Sequence, residues 1–438
     1  MPDVRKCIGH PDKHRAKRYT NMEKYAEKWI ALENEVNKRG GDGGAVVAAM
    51  KDHYKLYGDS VYLWIAGLYD KNVGGFYYSN SGRDNEPFLP DIESTNQATN
   101  FLLASGVFDT PEEFPLAMRE QMTKFCQSLI SPEDGNIYHP QWDYKDPDWK
   151  FVNLRLGRDL AWAHGMAKKF NFKYPYPTAS ERLKAKSNGT VSEAEKADIA
   201  PRFRSAEALI EYLEGYNWET DAYFSGSNLS AQMNQVIAAG LGDVAIDFLN
   251  KKQNQETGLW GVQQGYVGIN GLLKISGCYR EAKAVMPNSD KAMQAAIECI
   301  TSDEECGTIC FQYNAWFSVS NILQILRNIG TPEANAEADK ALAVLYKGAP
   351  EAIRVTTEKV RRFAKPDGAF SYLQKTSTGF SQKAPVSIHL TVESDVNASV
   401  IATTGTTKYM FDALELSSFF IPFYDKEDRQ KFLEALDC

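Results

Sequence analysis

The chain has 438 residues, of which 43% are hydrophobic and 12% aromatic, so a large packed core is possible and disorder is not the default expectation. Its formal net charge of −8 argues against nucleic acid as the main partner. Residues 1–20 read as a basic arm without the apolar run of a secretory signal, and no apolar segment is long enough to cross a bilayer. We expect a cytoplasmic protein with no membrane partner.

The cysteines and the motif content bear on metals and cofactors. Seven cysteines are scattered without the spacing of a disulfide framework, which favours reduced thiols. Cys299, Cys306 and Cys310 lie close together, but with no histidine near them they are weak evidence for zinc. The chain has no phosphate-binding loop, dinucleotide-binding glycine motif or H-E-x-x-H motif. We expect no metal and no cofactor.

A glycine turn followed by aromatic residues recurs along the chain. Glycine supplies the positive φ of a tight turn, and the aromatic side chains can pack onto the helices beneath it. The six copies contain Gly74, Gly135, Asp221 (a copy without the glycine), Gly258, Gly307 and Gly368. Their uneven spacing, roughly 40 to 85 residues, excludes a solenoid of fixed period.

Helical periodicity fills the segments between these turns. The less polar helices follow the turns, at residues 91–105, 154–170, 228–240, 264–277, 315–329 and 395–414. The amphipathic helices precede the turns, at residues 22–39, 45–68, 112–129, 205–212, 244–251, 290–300, 337–347 and 351–363. Residues 376–392 are an exception to this helical pattern, and we predict that they form a hairpin or an ordered flap. The alternation predicts an all-α (α/α)6 toroid of six helix pairs with few short strands, forming one domain over residues 21–438.

Three short motifs resemble families that have such folds. Gln253, Gly258 and Trp260 resemble the repeat of terpenoid cyclases and prenyltransferases, which are α/α toroids. The turn at residues 74–78 is similar to that of barrels of the N-acylglucosamine epimerase type. The turn at residues 138–139, with an arginine-rich helix after it, resembles polysaccharide lyases of the heparinase II/III type. These resemblances imply a toroid, and the acidic D-x-D-D motif of class II terpenoid cyclases is missing from the chain.

Residues 134–164 concentrate ionisable and aromatic side chains in one turn and the helix after it. Tyr138 and His139 can divide the acid and base roles, and Arg158 can hold a carboxylate through two parallel hydrogen bonds. Asp159 can act with a second carboxylate in a hydrolysis. We predict that Tyr138, His139, Arg158 and Asp159 are catalytic residues at the mouth of the toroid.

Amides, aromatic residues and carboxylates stand at the start of every inner helix, a composition that favours a sugar pocket over a terpene pocket. The predicted substrate-binding residues are Gln141, Trp142, Arg155, Tyr78, Glu93, Asn228, Gln264, Tyr313 and Glu393. A hydrolase would need two opposed carboxylates, for which the candidates are Asp143, Asp159, Glu93, Glu393 and Asp395.

We therefore predict a carbohydrate-active enzyme that acts on an acidic or polyhydroxylated oligosaccharide, a small-molecule substrate. A lyase is favoured over a hydrolase or an epimerase, because Tyr, His and Arg together suit proton removal beside a carboxylate. A toroid like the terpenoid cyclases and prenyltransferases, or a sugar-binding scaffold without catalysis, is the alternative.

Overall fold

The structure is a computed structural model that describes residues 23–146, 149, 151–187 and 200–437. Helices account for 63% of it, and the strands within these ranges form two antiparallel pairs of two residues per strand. The prediction of an all-α protein with few short strands is confirmed. The predicted basic arm, residues 1–20, lies outside the described residues. No helix in the described part of the chain is long and apolar enough to cross a membrane.

The elements follow one another in a simple order. The first half of the described chain contains α1 (Ala26–Lys38), α2 (Gly43–Tyr54), α3 (Asp59–Ala66), β1 (Tyr69–Asp70), β2 (Gly75–Phe76), α4 (Asn80–Asp84), α5 (Ile92–Ala104), α6 (Leu116–Ser128), α7 (Val152–Phe170), α8 (Ala179–Ser187), α9 (Ala206–Glu214) and α10 (Ala222–Ala238). The second half contains α11 (Gly242–Lys252), α12 (Gly265–Ala282), α13 (Ser289–Thr301), α14 (Ile309–Ile329), α15 (Pro332–Arg361), β3 (Phe380–Ser381), β4 (Ala384–Pro385), α16 (Val396–Val400), α17 (Thr406–Ala413) and α18 (Lys426–Asp437).

Six helical members contact one another in a closed cycle. Helix α5 contacts α7, α7 contacts α10, α10 contacts α12, α12 contacts α14, α14 contacts α17, and α16 contacts α5. A π-helical turn, Ile401–Gly405, joins α16 to α17, so these two form the sixth member. We call these members the inner helices; they are those that the sequence predicts after the turns. The cycle is what a six-pair toroid requires, and the toroid itself stays a prediction.

Small residues let neighbouring inner helices approach closely. A Cβ on Gly157 of α7 would lie 2.6 Å from the Ala231 carbonyl oxygen of α10. A Cβ on Gly226 of α10 would lie 2.8 Å from Cγ1 of Ile275 and 3.2 Å from Cβ of Lys274 on α12. A real Cβ does not approach a backbone atom as closely as 2.6 Å, so glycine is needed at position 157. At position 226 a Cβ would force the Ile275 side chain to move.

Four of the predicted glycine turns are miniature hairpins. Gly74, Gly135, Gly258 and Gly368 have φ values of 84°, 75°, 70° and 109°. The residues flanking each turn pair across it, in β1 with β2 and in the bridges Ile130 to Ile137, Gln253 to Trp260 and Ala364 to Phe370. Each hairpin therefore reverses the chain before it enters an inner helix.

At the other two predicted turns, the structure has the start of an inner helix and no hairpin. Asp221 caps α10 by accepting a hydrogen bond from the Phe224 amide, so this helix begins at Ala222 and not at Asn228. Helix α14 begins at Ile309, directly after Gly307 and Thr308.

Two outer segments differ from their predicted form. Residues 45–68 are two helices, α2 and α3, because Gly58 is extended between them. Residues 337–347 and 351–363 belong to one helix, α15, which continues through Pro350. Its buried face includes Ala349, Ala352 and Ile353, so packing outweighs the loss of one backbone donor at the proline. The short helix α8 and the last helix α18 had no sequence signal that we identified.

Candidate active site

A hairpin lies against the first turns of two inner helices, α7 and α10. We call residues 376–392 the flap. Its strands β3 and β4 pair Phe380 with Pro385 and Ser381 with Ala384, so this segment contains a hairpin, one of the two forms predicted for it. The Ser381 carbonyl accepts from Nη1 of Arg155 on α7 at 3.2 Å. The Gln382 side chain lies close enough to Tyr223, near the start of α10, to lower the pKa of its hydroxyl. The flap therefore lies where α7 and α10 present their side chains.

Aromatic and amide side chains hold the flap in place. Nε1 of Trp142 and Nε2 of Gln141 both donate to the Pro385 carbonyl, at 2.9 and 3.0 Å. Tyr78 is buried against Trp142 and against Ala384 of the flap. These three predicted sugar-binding residues are therefore used in anchoring the flap.

A buried ion cluster lies below the flap. Nη1 of Arg155 is 2.8 Å from Oε2 of Glu93, and Nε of Arg155 is 2.9 Å from Oδ2 of Asp159. Nε of Arg158 is 3.0 Å from Oε1 of Glu93. Burial alone would raise the pKa of Glu93, but Arg158 and Arg155 lower it to about 2. Glu93 is therefore a permanent carboxylate, and the cluster joins α5 to α7.

His139 and Tyr138 do not join this cluster. Nε2 of His139 donates to the Pro90 carbonyl at 3.0 Å, and its ring stacks on Trp142 with centroids 4.2 Å apart. Burial lowers the pKa of His139 to about 4, although the bond to Pro90 acts in the opposite direction. The hydroxyl of Tyr138 donates to Oδ2 of Asp134 at 2.7 Å within its own turn. Both side chains bond to partners outside the cluster, and of the four predicted catalytic residues the structure brings only Arg158 and Asp159 to it.

The remaining predicted binding residues have varied surroundings. Glu393 is buried and accepts from Ser79, Thr391 and Ser81. Nδ2 of Asn228 donates to the Phe224 carbonyl of its own helix at 2.9 Å. Gln264 is exposed directly before α12.

Tyr313 belongs to a different group, made of side chains from neighbouring inner helices that act on one another electrostatically. We define the central hollow by five half-buried residues on four consecutive inner helices: Arg158 of α7, Tyr223 of α10, Lys274 of α12, and Cys310 and Tyr313 of α14. The amine of Lys274 lies 5.6 Å from the ring centroid of Tyr223. Cys310 shares a hydrogen bond with the half-buried Tyr372.

The charges in the central hollow influence one another. Burial lowers the pKa of Lys274 to about 8, and Arg158 acts in the same direction, while Cys310 and Glu93 oppose it. Burial raises the pKa of Tyr223, and Arg158 opposes that shift. At neutral pH the hollow therefore holds a guanidinium, an amine that loses its proton more readily than a surface lysine, and a phenol that keeps its proton.

Aromatic rings border the hollow beside the π-helical turn. The Tyr313 and Tyr409 rings are 5.3 Å apart, and Tyr409 stacks on Phe317 at 3.7 Å. A Cβ on Gly405, in the π-helical turn, would lie 3.0 Å from Cε2 of Tyr313. π-Helical turns are rare and often mark functional sites, so this one supports a site at Tyr313.

The sequence reasoning missed Lys274 and did not single out Tyr223 as a site residue. Lys274 is a lone cation between Leu272, Leu273 and Ile275, in a helix predicted to be inner. A charge that interrupts a buried apolar stretch is the signal that could have identified it.

Comparison with protein-family models, with curated proteins and with solved structures gives no significant match to the chain. The resemblances to lyases, epimerases and cyclases therefore stay predictions from short motifs. In the ranges that the structure describes, no group of three or more His, Cys, Asp or Glu side chains is placed to hold a metal ion.

Proposed function

We propose that the protein is a carbohydrate-active enzyme whose substrate, an acidic sugar, binds in the central hollow. The observation that carries the proposal is the grouping of Arg158, Lys274, Tyr223 and Tyr313. These half-buried side chains come from four consecutive inner helices, and Arg158 acts on the pKa values of the other three. Guanidinium and ammonium groups bind a carboxylate, and phenol rings and hydroxyls suit the faces and hydroxyls of a pyranose.

The surroundings of the carboxylates favour a lyase over a hydrolase. Glu93 and Asp159 are bonded to arginines. Glu393 accepts hydrogen bonds from three residues, and Asp395 accepts from Ala398, Tyr372 and Ser377. A hydrolase needs two opposed carboxylates of which one is a free acid and the other a free base. Of the predicted carboxylates only Asp143 is exposed, and a single one cannot supply both roles.

Lyase chemistry instead uses the groups that the hollow provides. Removal of a proton beside a carboxylate needs a cation to neutralise the enolate and an acid for the leaving oxygen. Arg158 supplies the cation, and Tyr223, whose pKa is raised by burial, supplies an acid that stays protonated at neutral pH.

Calorimetric titration with methyl glucuronoside, methyl galacturonoside and the neutral methyl glucoside tests the proposal. We expect a uronate to bind about tenfold or more tightly than the glucoside, because a hydrogen bond to a charged group contributes about 1.5–3 kcal/mol. Arg158→Gln should remove this preference. Arg354→Gln, on the exposed face of α15, should keep it. Equal affinity for uronate and glucoside, or no binding of either, would contradict the proposal.

Binding of uronates without formation of an ultraviolet-absorbing double bond from uronate oligosaccharides would favour a sugar-binding scaffold over a lyase.

A further inference from the structure

We propose that Lys274 is the general base of the reaction, and that it removes the proton on the carbon next to the substrate's carboxylate. This inference rests on the proposed function and adds to it a catalytic residue and the site of bond cleavage.

Lys274 differs from two other partly or fully buried lysines, Lys169 and Lys359, in the surroundings of its amine. Nζ of Lys169 donates to Asn96 and to Thr99 at 2.7–2.8 Å, and Nζ of Lys359 donates to the Tyr266 hydroxyl and the Ser302 carbonyl. The amine of Lys274 forms no hydrogen bond or ion pair with any residue in the described part of the chain. Because the side chain of Lys274 is only half-buried, its amine is open to a ligand that supplies a hydrogen-bond acceptor.

The helix packing places this amine inside the cycle. Gly226 lets α10 approach the Cβ of Lys274, and this brings the amine against the face of the Tyr223 ring. The charged or titratable groups that act on it from neighbouring helices are Arg158 of α7, Glu93 of α5 and Cys310 of α14. Arg158 is already paired with Glu93, so the amine is the hollow's one cation that has no carboxylate among the described residues.

The surroundings also make the amine a usable base. Burial and Arg158 lower its pKa to about 8, so a fraction of it is neutral near pH 7. A general base works best when its pKa lies near the operating pH. Tyr223 beside it keeps its proton and can act as the opposing acid.

The protons and electron pairs of this reaction balance without a cofactor. The lone pair of the Lys274 amine takes the proton from the α-carbon, and the electrons of that C–H bond move into the carboxylate as an enediolate. Arg158 stabilises the added negative charge. The electrons then return to form a double bond between the α- and β-carbons while the bond from the β-carbon to the glycosidic oxygen breaks. That oxygen takes the proton of Tyr223. The products are an unsaturated uronate and a sugar with a free hydroxyl.

Deuterium exchange isolates the first step. The full chain is incubated in D₂O with methyl glucuronoside or methyl galacturonoside, and proton NMR follows the α-proton of the uronate. Calorimetry on the same samples measures binding separately. We expect the wild type to exchange this proton. At glycoside concentrations that saturate each protein, Lys274→Met should exchange it about 10²- to 10⁴-fold more slowly. Lys283→Met, an exposed lysine just after the end of α12, should exchange at the wild-type rate.

Two further readouts separate a base from a structural role. Added methylamine should restore exchange to Lys274→Ala, because a free amine can occupy the space of the missing one. The wild-type rate should rise with pH and level off near pH 8, since the neutral amine is the active form. Binding with no exchange by the wild type, or equal exchange by Lys274→Met, would overturn the inference and leave the proposed function standing. No binding of either uronate would overturn the proposed function itself.

Discussion

Arg155 and Arg158 lie three residues apart on one helix but in different surroundings. The side chain of Arg155 is 0% exposed and bridges two carboxylates, whereas that of Arg158 is 18% exposed and reaches the central hollow. A fully buried ion pair is costly to break, because the partner left behind has neither water nor an opposite charge.

We expect Arg155→Met to lower the free energy of unfolding by about 3–5 kcal/mol, since it leaves Asp159 buried without its partner. Arg158→Gln should lower it much less, because Arg155 still neutralises Glu93 and the hollow admits solvent. Urea denaturation of the two variants measures this difference. Equal losses would show that Arg158 is as structural as Arg155.

His139 gives a prediction about pH. Its folded pKa of about 4 lies below the value of about 6.5 in an unfolded chain. The unfolded state therefore binds the proton first, and the stability that the neutral ring contributes is lost as pH falls from 6.5 to 4. His139→Gln keeps a donor for the Pro90 carbonyl but cannot titrate.

Between pH 6.5 and 4, wild type should therefore lose about 3 kcal/mol more stability than His139→Gln, as unfolding free energies at each pH would show. Parallel curves for the two proteins would mean that His139 is protonated equally in both states.

At the residue scale, the sequence predicted part of the candidate site. Arg158, Glu93 and Tyr313 follow the turns and carry charge or a hydroxyl, so the search for polar side chains near the starts of inner helices identified them. His139 was predicted as an acid–base group, but its ring is buried, and composition cannot tell a loop that packs on itself from one that faces a cavity. Lys274 lies in the middle of its helix, whereas the search covered polar side chains near the helix starts.

At the scale of elements, the flap is the least regular part of the site. Its hairpin turns through Gln382 and Lys383, whose φ values of 47° and 70° are uncommon for residues other than glycine. The amine of Lys383 lies 4.7 Å from the ring centroid of Phe224 on α10. The sequence of this turn does not favour its conformation, and contacts with the inner helices help to hold it.

We expect the double change Gln141→Ala and Trp142→Phe to loosen the flap, because it removes both hydrogen bonds to the Pro385 carbonyl and keeps an aromatic ring at position 142. Two bonds of about 1 kcal/mol each correspond to roughly a tenfold or larger rise in the open fraction. Limited trypsin digestion should then cut faster after Lys375 and Lys383.

Gln127→Ala removes a similar bond, from a glutamine to the Lys173 carbonyl, away from the flap, and serves as the control. If the control and the double variant are cut within the flap at the same rate, these bonds do not hold it.

The elements themselves were largely predictable. Gly74, Gly135, Gly258 and Gly368 mark chain reversals because positive φ favours glycine, and that preference is local. The continuation of α15 through Pro350 and the π-helical turn beside Tyr313 depend on packing between distant segments, which no local rule contains.

At the scale of the whole molecule, one hydrophobic core cluster extends from Trp29 to Ala435. Because the inner helices contact each other in a cycle, each of them packs against a neighbour on both sides. No helix pair can therefore unfold without exposing the packed face of the next. We expect a single cooperative unfolding transition, with the same urea midpoint by tryptophan fluorescence and by far-ultraviolet circular dichroism. Two resolved midpoints would show that part of the cycle folds independently.

The contact that completes the cycle has a consequence for synthesis. Nε2 of Gln97 donates to Oδ1 of Asn397 at 3.0 Å, across 300 residues of sequence. Such a contact forms late, because the loop between the two residues must first be ordered. While the ribosome makes those residues, the face of α5 that will receive α16 has no partner. A nascent chain of this kind depends on chaperones for longer than one whose neighbours in space are neighbours in sequence.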